Sequence, residues 1–260
     1  MKGAPKIEIV IVMPAYNEEA CIEDSVLHWI SFLKNKFNED VCKLIVINDG
    51  SKDNTGSILE KLEQNNSILM LINQSNQGHG AAVLNGYQEA LRLHPEWVFQ
   101  TDSDNQFTSK DFEELWRLRN QSKFILGYRK VRHDDVNRLI ITRILRILLW
   151  VVFQKYIKDS NVPYRLINAN YLNLLLQQLD RKPFAPNIFI SVLAAKDKQK
   201  LFEIPIQHLA RTTGTVSIVK WSLLKVSLKS AMELITFRRS LNKRLKKISE
   251  FKLNLNLYAS

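Results

Sequence analysis

The feature that most constrains this chain is an alternation running through its first half. Short, β-branched, largely apolar runs fall at residues 7–13, 43–48, 68–73, 97–101 and 123–126, each closed by polar or glycine residues and most then followed by helical periodicity. Runs so poor in polar alternation belong to strands covered on both faces, with helices as right-handed crossovers of a mostly parallel sheet. The predicted fold class is therefore α/β, Rossmann-like, with ligands gathering at the carboxyl ends of the strands. Helices are predicted over 20–36, 55–63, 79–93 and 110–117. Their starts are marked by Asp53 before Thr55-Gly56, by Gly80, and by Ser109 as an N-cap.

Beyond residue 130 the pattern changes to a long, leucine-rich, basic helix, a loop around 159–165, another helix and a short strand at 200–205. No repeat and no Gly/Ser-rich linker divides the chain. The expected organisation is one α/β domain over 1–220 and a basic helical extension over 221–260. With 45% hydrophobic residues in 260, there is material for a large core.

Lys and Arg outnumber Asp and Glu by 37 to 26, a net charge of +11, so the partners to expect are polyanions: nucleotides, nucleic acid or an anionic membrane. Cys21 and Cys42 have neither metal-ligand spacing nor a disulfide framework, which suits a reducing cytoplasm. Glu8 interrupts the first apolar run and Pro14 follows it, which argues against a signal peptide. The segment 139–157 contains Arg143, Arg146, Gln154 and Lys155, and its uninterrupted core, 147–153, is too short to cross a bilayer. Arg138, Thr142, Arg146 and Gln154 form a narrow polar stripe on this helix, compatible with a membrane-interface helix or with one packed on the core. Six basic residues, Arg238, Arg239, Lys243, Arg244, Lys246 and Lys247, follow in the tail. At about 1 kcal/mol each near anionic lipid they supply up to about 6 kcal/mol, or else form a solvated charge run. The expected location is cytoplasmic, with peripheral association at the inner face of the membrane.

Four strand ends carry the chemistry. The first reads Pro14-Ala15-Tyr16-Asn17-Glu18, where a ring such as Tyr16 can cover a nucleobase. The second reads Asn48-Asp49-Gly50-Ser51, where an acidic side chain can accept from ribose hydroxyls or a base N–H and Gly50 permits a tight exit. The third, Asn76-Gln77-Gly78-His79-Gly80-Ala81-Ala82, is small enough for backbone N–H groups to approach a phosphate at a helix start. It lacks a complete GxGxxG or Walker pattern. The fourth is Asp102-Ser103-Asp104-Asn105-Gln106, where two carboxylates one residue apart can reach a single hard cation and Gln106 adds a third oxygen. Such a cation also binds a diphosphate, and one ion pair near 4 Å is worth about 4 kcal/mol at an effective dielectric of 20.

In order and spacing these four motifs resemble the family 2 glycosyltransferases of GT-A fold, in particular the dolichyl- and polyprenyl-phosphate sugar synthases. Weaker matches follow at 127–129, 159–165 and 203–214. The resemblance implies Mg2+ or Mn2+ as cofactor and a nucleoside-diphosphate sugar as donor, with a polyprenyl phosphate or a glycan as acceptor and no nucleic acid as partner. It implies that Pro14, Ala15, Tyr16, Glu18, Asp49, Gly78, Asp102 and Ser103 bind the nucleotide sugar and that Asp102, Asp104 and Gln106 hold the metal. It implies further that Asp102, Asp104 and Arg211 act in catalysis and that Arg129, Arg143, Arg165 and Arg211 contact phosphate or acceptor, the fork of Arg matching phosphate bidentately. One departure is Asp159-Ser160-Asn161-Val162-Pro163-Tyr164-Arg165, where that branch often reads Asp-x-x-Ser-Gly-Phe-Arg. The catalytic-base pair and the Gln-x-x-Arg-Trp motif of processive polysaccharide synthases are absent. A nucleotidyltransferase and a non-catalytic nucleotide-binding protein remain as alternatives. The first calls for a Gly-rich basic loop in place of 14–18, and the second leaves the Asp102/Asp104 pair without a purpose.

Overall fold

The computed structural model describes residues 5–130, 136–179, 183, 185–197, 201–210 and 220–257. Its centre is a seven-stranded sheet in the order β3-β2-β1-β4-β6-β5-β7. The first four strands, β1 (Ile9–Ala15), β2 (Cys42–Asp49), β3 (Leu69–Gln74) and β4 (Trp97–Gln100), are mutually parallel. Every residue of β1 and β4 is buried, which is why their sequence carries no polar alternation. The crossovers run through α1 (Ile22–Lys36), α2 (Thr55–Gln64) and α3 (His79–Arg92), close to the predicted ranges. Helix α3 lies very close to the sheet at Gly86, where a Cβ would meet Val12 Cγ1 at 2.3 Å. That approach needs glycine despite its helix cost of about 1 kcal/mol, and it seats α3 against β1 and β2.

The second half departs from the alternation. After α4 (Phe112–Leu118) and β5 (Phe124–Arg129) come α5 (Val136–Phe153), β6 (Arg165–Asn168), α6 (Ala169–Leu176), α7 (Pro186–Lys196) and β7 (Leu201–Ile206). Strand β6 slots antiparallel between β4 and β5, and β7 joins β5 in parallel at the edge. The sequence predicted a long helix, a loop around 159–165, one further helix and a strand at 200–205; α5 and β7 match it, whereas β6 stands where the loop ends and two helices, α6 and α7, replace the single one. Four residues of mixed character carry no strand signal of their own, and β6 exists because two neighbouring strands offer it partners. The predicted cap at Ser109 also moves, since Thr108 caps a short 3-10 turn by accepting from Lys110 N, and α4 begins only at Phe112.

The chain ends in α8 (Lys220–Leu257). Leu234, Phe237, Leu241, Arg244 and Ile248 recur every three or four residues and are buried, making one inward stripe against α5 and α7. Phe237 meets Phe189 edge to face at 4.9 Å, Arg244 donates to the Gln178 carbonyl, and Arg238 Nε donates to Val152 O at 3.0 Å. Arg244, expected in a solvated or lipid-facing charge run, is buried in this seam because its guanidinium has that carbonyl to satisfy it.

Candidate active site

Because β1, β2, β3 and β4 are parallel, their carboxyl ends open on one edge of the sheet. Pro14 and Ala15 are still in the ladder, paired with Ile47 and Asn48 and buried, so the loop proper starts at Tyr16, which is half-buried. This loop is laced to the one after β2. Asn17 N donates to Ser51 Oγ (3.0 Å), Lys52 N to Asn17 Oδ1 (2.8 Å), Glu18 N to Thr55 Oγ1 (2.8 Å) and Glu19 N to Asp53 Oδ2 (3.2 Å). Asn17 takes a left-handed conformation at φ 53°, which an Asn tolerates.

Asp49, at the end of β2, has a carboxylate already well used. Oδ1 accepts from Gln74 Nε2 (2.6 Å) and Gln77 N (2.9 Å), and Oδ2 from Gly78 N (2.9 Å). It therefore organises the loop after β3. Gly50 completes the lock: its φ is +68°, and a Cβ there would stand 2.6 Å from Asn76 N. Gly78 has a φ of +88° with open space around it, so backbone conformation alone asks for glycine. His79 follows as the first residue of α3, and its Nε2 lies 4.0 Å from Asp102 Oδ1.

The acidic loop begins where Thr101 N still bonds Val12 O at 3.1 Å. Ser103 is buried, its carbonyl 3.6 Å from the Cys21 thiol, which itself lies 3.3 Å from Glu18 Oε2. Asp104 Oδ1 accepts from Gln106 N (3.2 Å), and Asn105 turns the chain at φ 56°. Gln106 is anchored on both sides to the segment after β7, its Nε2 donating to Leu209 O (3.1 Å) and its carbonyl accepting from Leu209 N (2.9 Å). Asp102 Oδ1 is buried and accepts no hydrogen bond. Burial first, then the charge of Asp104, push the Asp102 carboxyl well above the usual carboxylate range. Glu18 pushes the same way, and Arg129 and Arg165 pull against it. A buried acceptor without a donor, crowded by like charge, is the environment a cation relieves. Among the described residues no group of three or more His, Cys, Asp or Glu closes a cage around an ion.

Of the expected phosphate-contacting arginines, Arg129 reaches this neighbourhood. It is gripped by Asp159, Nε to Oδ2 at 2.7 Å and Nη2 to Oδ1 at 3.1 Å, with both side chains mostly buried. Arg143 is exposed on α5, and no hydrogen bond or ion pair joins it to Asp102 or Asp104 among the described residues. Arg211 lies outside the described residues. Arg165 is placed differently from the expectation. It is fully buried and its five N–H groups go to Val162 O (twice), Ser160 O, Asn187 O and Ser191 Oγ, so its donors are spent on the scaffold. Behind Asp102, Tyr87 donates to Gln100 Oε1 (2.8 Å) and Asn187 Nδ2 to the same oxygen (2.9 Å). Sequence reasoning did not single out the His79 side chain or the Asp159 clamp. The first sat in a motif read for its backbone, and the second pairs residues 30 positions apart.

A mostly parallel sheet with a carboxylate pair at its carboxyl edge fits the GT-A architecture of glycosyltransferases. The chain belongs to glycosyl transferase family 2, whose profile matches residues 10–179. It is 29% identical over 221 residues to a dolichyl-phosphate beta-glucosyltransferase of Trichomonas vaginalis, the match covering 78% of this chain and 66% of that one. This chain thus spans just under two thirds of that relative's length. It is 25% identical over 221 residues to the UDP-N-acetylglucosamine–dolichyl-phosphate N-acetylglucosaminyltransferase of Methanococcus voltae, covering 77% and 85%. The fold is shared with glucosyl-3-phosphoglycerate synthase of Mycobacterium tuberculosis, solved with Mn2+, uridine diphosphate and phosphoglyceric acid: TM-score 0.65, 17% identity, 89% of this chain and 78% of that one.

Proposed function

We propose that this glycosyltransferase is metal-dependent and inverting, and that it moves a sugar from a nucleoside diphosphate to a polyprenyl phosphate in cell-envelope or polysaccharide biosynthesis. The observation that carries the reading is the buried Asp102 Oδ1, which accepts no hydrogen bond, beside Asp104 at the carboxyl edge of the sheet. Residues 1–220 form the transferase domain and 221–260 its basic helical extension.

Tyr16 and Glu18 would flank the nucleoside, and Asp49 would hold the 74–78 loop in the shape that receives it. Asp102 and Asp104, with Gln106, would hold Mg2+ or Mn2+. Bound there, the ion offsets negative charge gathering on the departing diphosphate. An acceptor oxygen attacks the anomeric carbon from the face opposite the diphosphate. The bond from that carbon to the β-phosphate oxygen breaks, and its electron pair leaves with the nucleoside diphosphate. A phosphate acceptor is already ionised at neutral pH, so the chemistry needs no general base. Arg129, immobilised by Asp159, is a preorganised cation for the acceptor phosphate or the leaving group. The names of the two lipid-phosphate relatives support this acceptor class. No described helix is long and apolar enough to cross a membrane.

The test is diphosphate release from a panel of nucleotide sugars with polyprenyl phosphate or a soluble glycan as acceptor, with and without EDTA. Transfer to polyprenyl phosphate that EDTA stops and Mn2+ or Mg2+ restores is expected. Efficient transfer to the glycan alone would remove the lipid-phosphate acceptor, and transfer indifferent to EDTA would remove the metal.

A further inference from the structure

The sequence left α5 as either an interface helix or a core helix, and its two faces do different things. Leu149 and Phe153 are buried, with Leu145, Leu148 and Val152 packed against the core. The opposite face carries Ile144 at 59% exposure, Ile147 at 61%, Trp150 at 59% and Val151 at 61%. An apolar row standing this far out of the protein, on a helix that has already satisfied its core contacts, is rare on a surface meant only for water. Arg238 Nε bonds Val152 O and so binds α8 alongside the end of α5. One turn before Arg238, Ile235 is again exposed at 47%.

Along α5 and the turn after it the charge is one-sided, and on the adjoining turn of α8 two exposed arginines stand against the single half-exposed Glu233. Residues 136–158 contain Arg138, Arg143, Arg146, Lys155 and Lys158 and no acidic residue. Exposed Arg143 stands within the row, exposed Lys155 just past its end, and exposed Arg238 and Arg239 follow on α8. Apolar side chains of interface type, a tryptophan among them, surrounded by cations and borne by a helix that cannot span, match an anionic bilayer surface.

We propose that the outward ridge of α5, Ile144, Ile147, Trp150 and Val151, with the adjoining turn of α8, is a docking surface for an anionic lipid bilayer. Its apolar side chains enter the headgroup boundary and its Arg and Lys side chains meet the lipid phosphates. The purpose of docking rests on the lipid-phosphate reading above, but the lipid contact itself does not. A second copy of this chain is the competing occupant.

The experiment is vesicle flotation of the full chain with neutral phosphatidylcholine vesicles and with vesicles containing phosphatidylserine, none holding polyprenyl phosphate. The wild type is compared with an Ile147→Glu/Trp150→Glu double variant. Both positions are exposed, so circular dichroism and melting should be unchanged. Expected is binding to the anionic vesicles that weakens at 0.5 M salt, little binding to neutral ones, and a loss of at least about tenfold in the variant, the worth of one buried apolar side chain. A variant that floats like the wild type overturns the proposal. So does a wild type that ignores anionic vesicles and sediments as a dimer that the variant dissociates, because the ridge is then an interface between copies. The acceptor reading is judged in a separate arm, transfer to a short-chain, water-soluble polyprenyl phosphate. Expected docking with no transfer there supports the ridge and removes the acceptor.

Discussion

Replacing Arg165 with methionine separates a phosphate contact from a scaffold role. Methionine keeps the length and apolar bulk of the side chain but removes five donors. The Val162 carbonyl then loses both of its Arg165 hydrogen bonds, at 2.5 and 3.1 Å, a cost of about 1–3 kcal/mol for a buried acceptor left alone. The Ser160 and Asn187 carbonyls each lose one donor, and the single Ser191 hydroxyl hydrogen, its oxygen 2.9 and 2.8 Å from them, serves one of the two at a time, so about 0.5–1.5 kcal/mol apiece is at stake. Removing a buried cation returns part of its desolvation cost, which is what lowers the Arg165 pKa from its ordinary value. A net destabilisation of roughly 2–3 kcal/mol remains. Urea unfolding followed by tryptophan fluorescence measures it, and acceptor KM in the folded fraction should stay near that of the wild type. If Arg165→Met keeps wild-type stability while acceptor KM rises tenfold or more, the guanidinium faces ligand and the scaffold assignment fails.

Asp104→Ala should abolish metal-dependent transfer and leave the melting temperature within a degree or two, since a half-exposed carboxylate at a strand end supports no core; near-normal turnover would contradict the metal assignment. Asp49→Ala should raise donor KM more than it lowers kcat, because Gln77 N, Gly78 N and Gln74 Nε2 lose the acceptor that shapes their loop; a large fall in kcat at unchanged donor KM would place Asp49 at the reacting atoms instead. The raised Asp102 carboxyl means that the metal-free folded state holds a proton the unfolded chain has released, so stability falls as pH rises from the ordinary carboxylate value through the raised one. Mn2+ binds the deprotonated form, so its stabilisation should grow with pH over the same window in melting curves, and a pH-independent Mn2+ effect would argue against binding at Asp102. Burial pushes the Cys42 thiol up to about 11, so it should resist iodoacetamide at pH 8 until the protein unfolds.

The first half of the fold was legible because its signals are local. A strand buried on both faces must be apolar throughout, a βα turn must carry small or capping residues, and both requirements are written in consecutive positions such as Ile9–Ala15 and Asn48-Asp49-Gly50. The carboxylate pair was legible for the same reason, lying directly after its strand. What the sequence left open depends on partners distant along the chain. Strand β6 needed the free edges of β4 and β5 before four ordinary residues became a strand. Arg165 looked like a phosphate ligand until the carbonyls of 160–162 and 187 closed around it, and Arg129 acquired its clamp from Asp159 across 30 residues. Asp49 could be named from its motif, but the loop that occupies it comes from the next crossover. On α5 the helical period fixed an apolar stripe too wide for one neighbour, and only packing against the core decided which part was covered and which was left facing outward. Periodicity and turn chemistry act between neighbours in sequence, whereas burial, donor allocation and ion pairing are settled only when the chain has brought distant segments together.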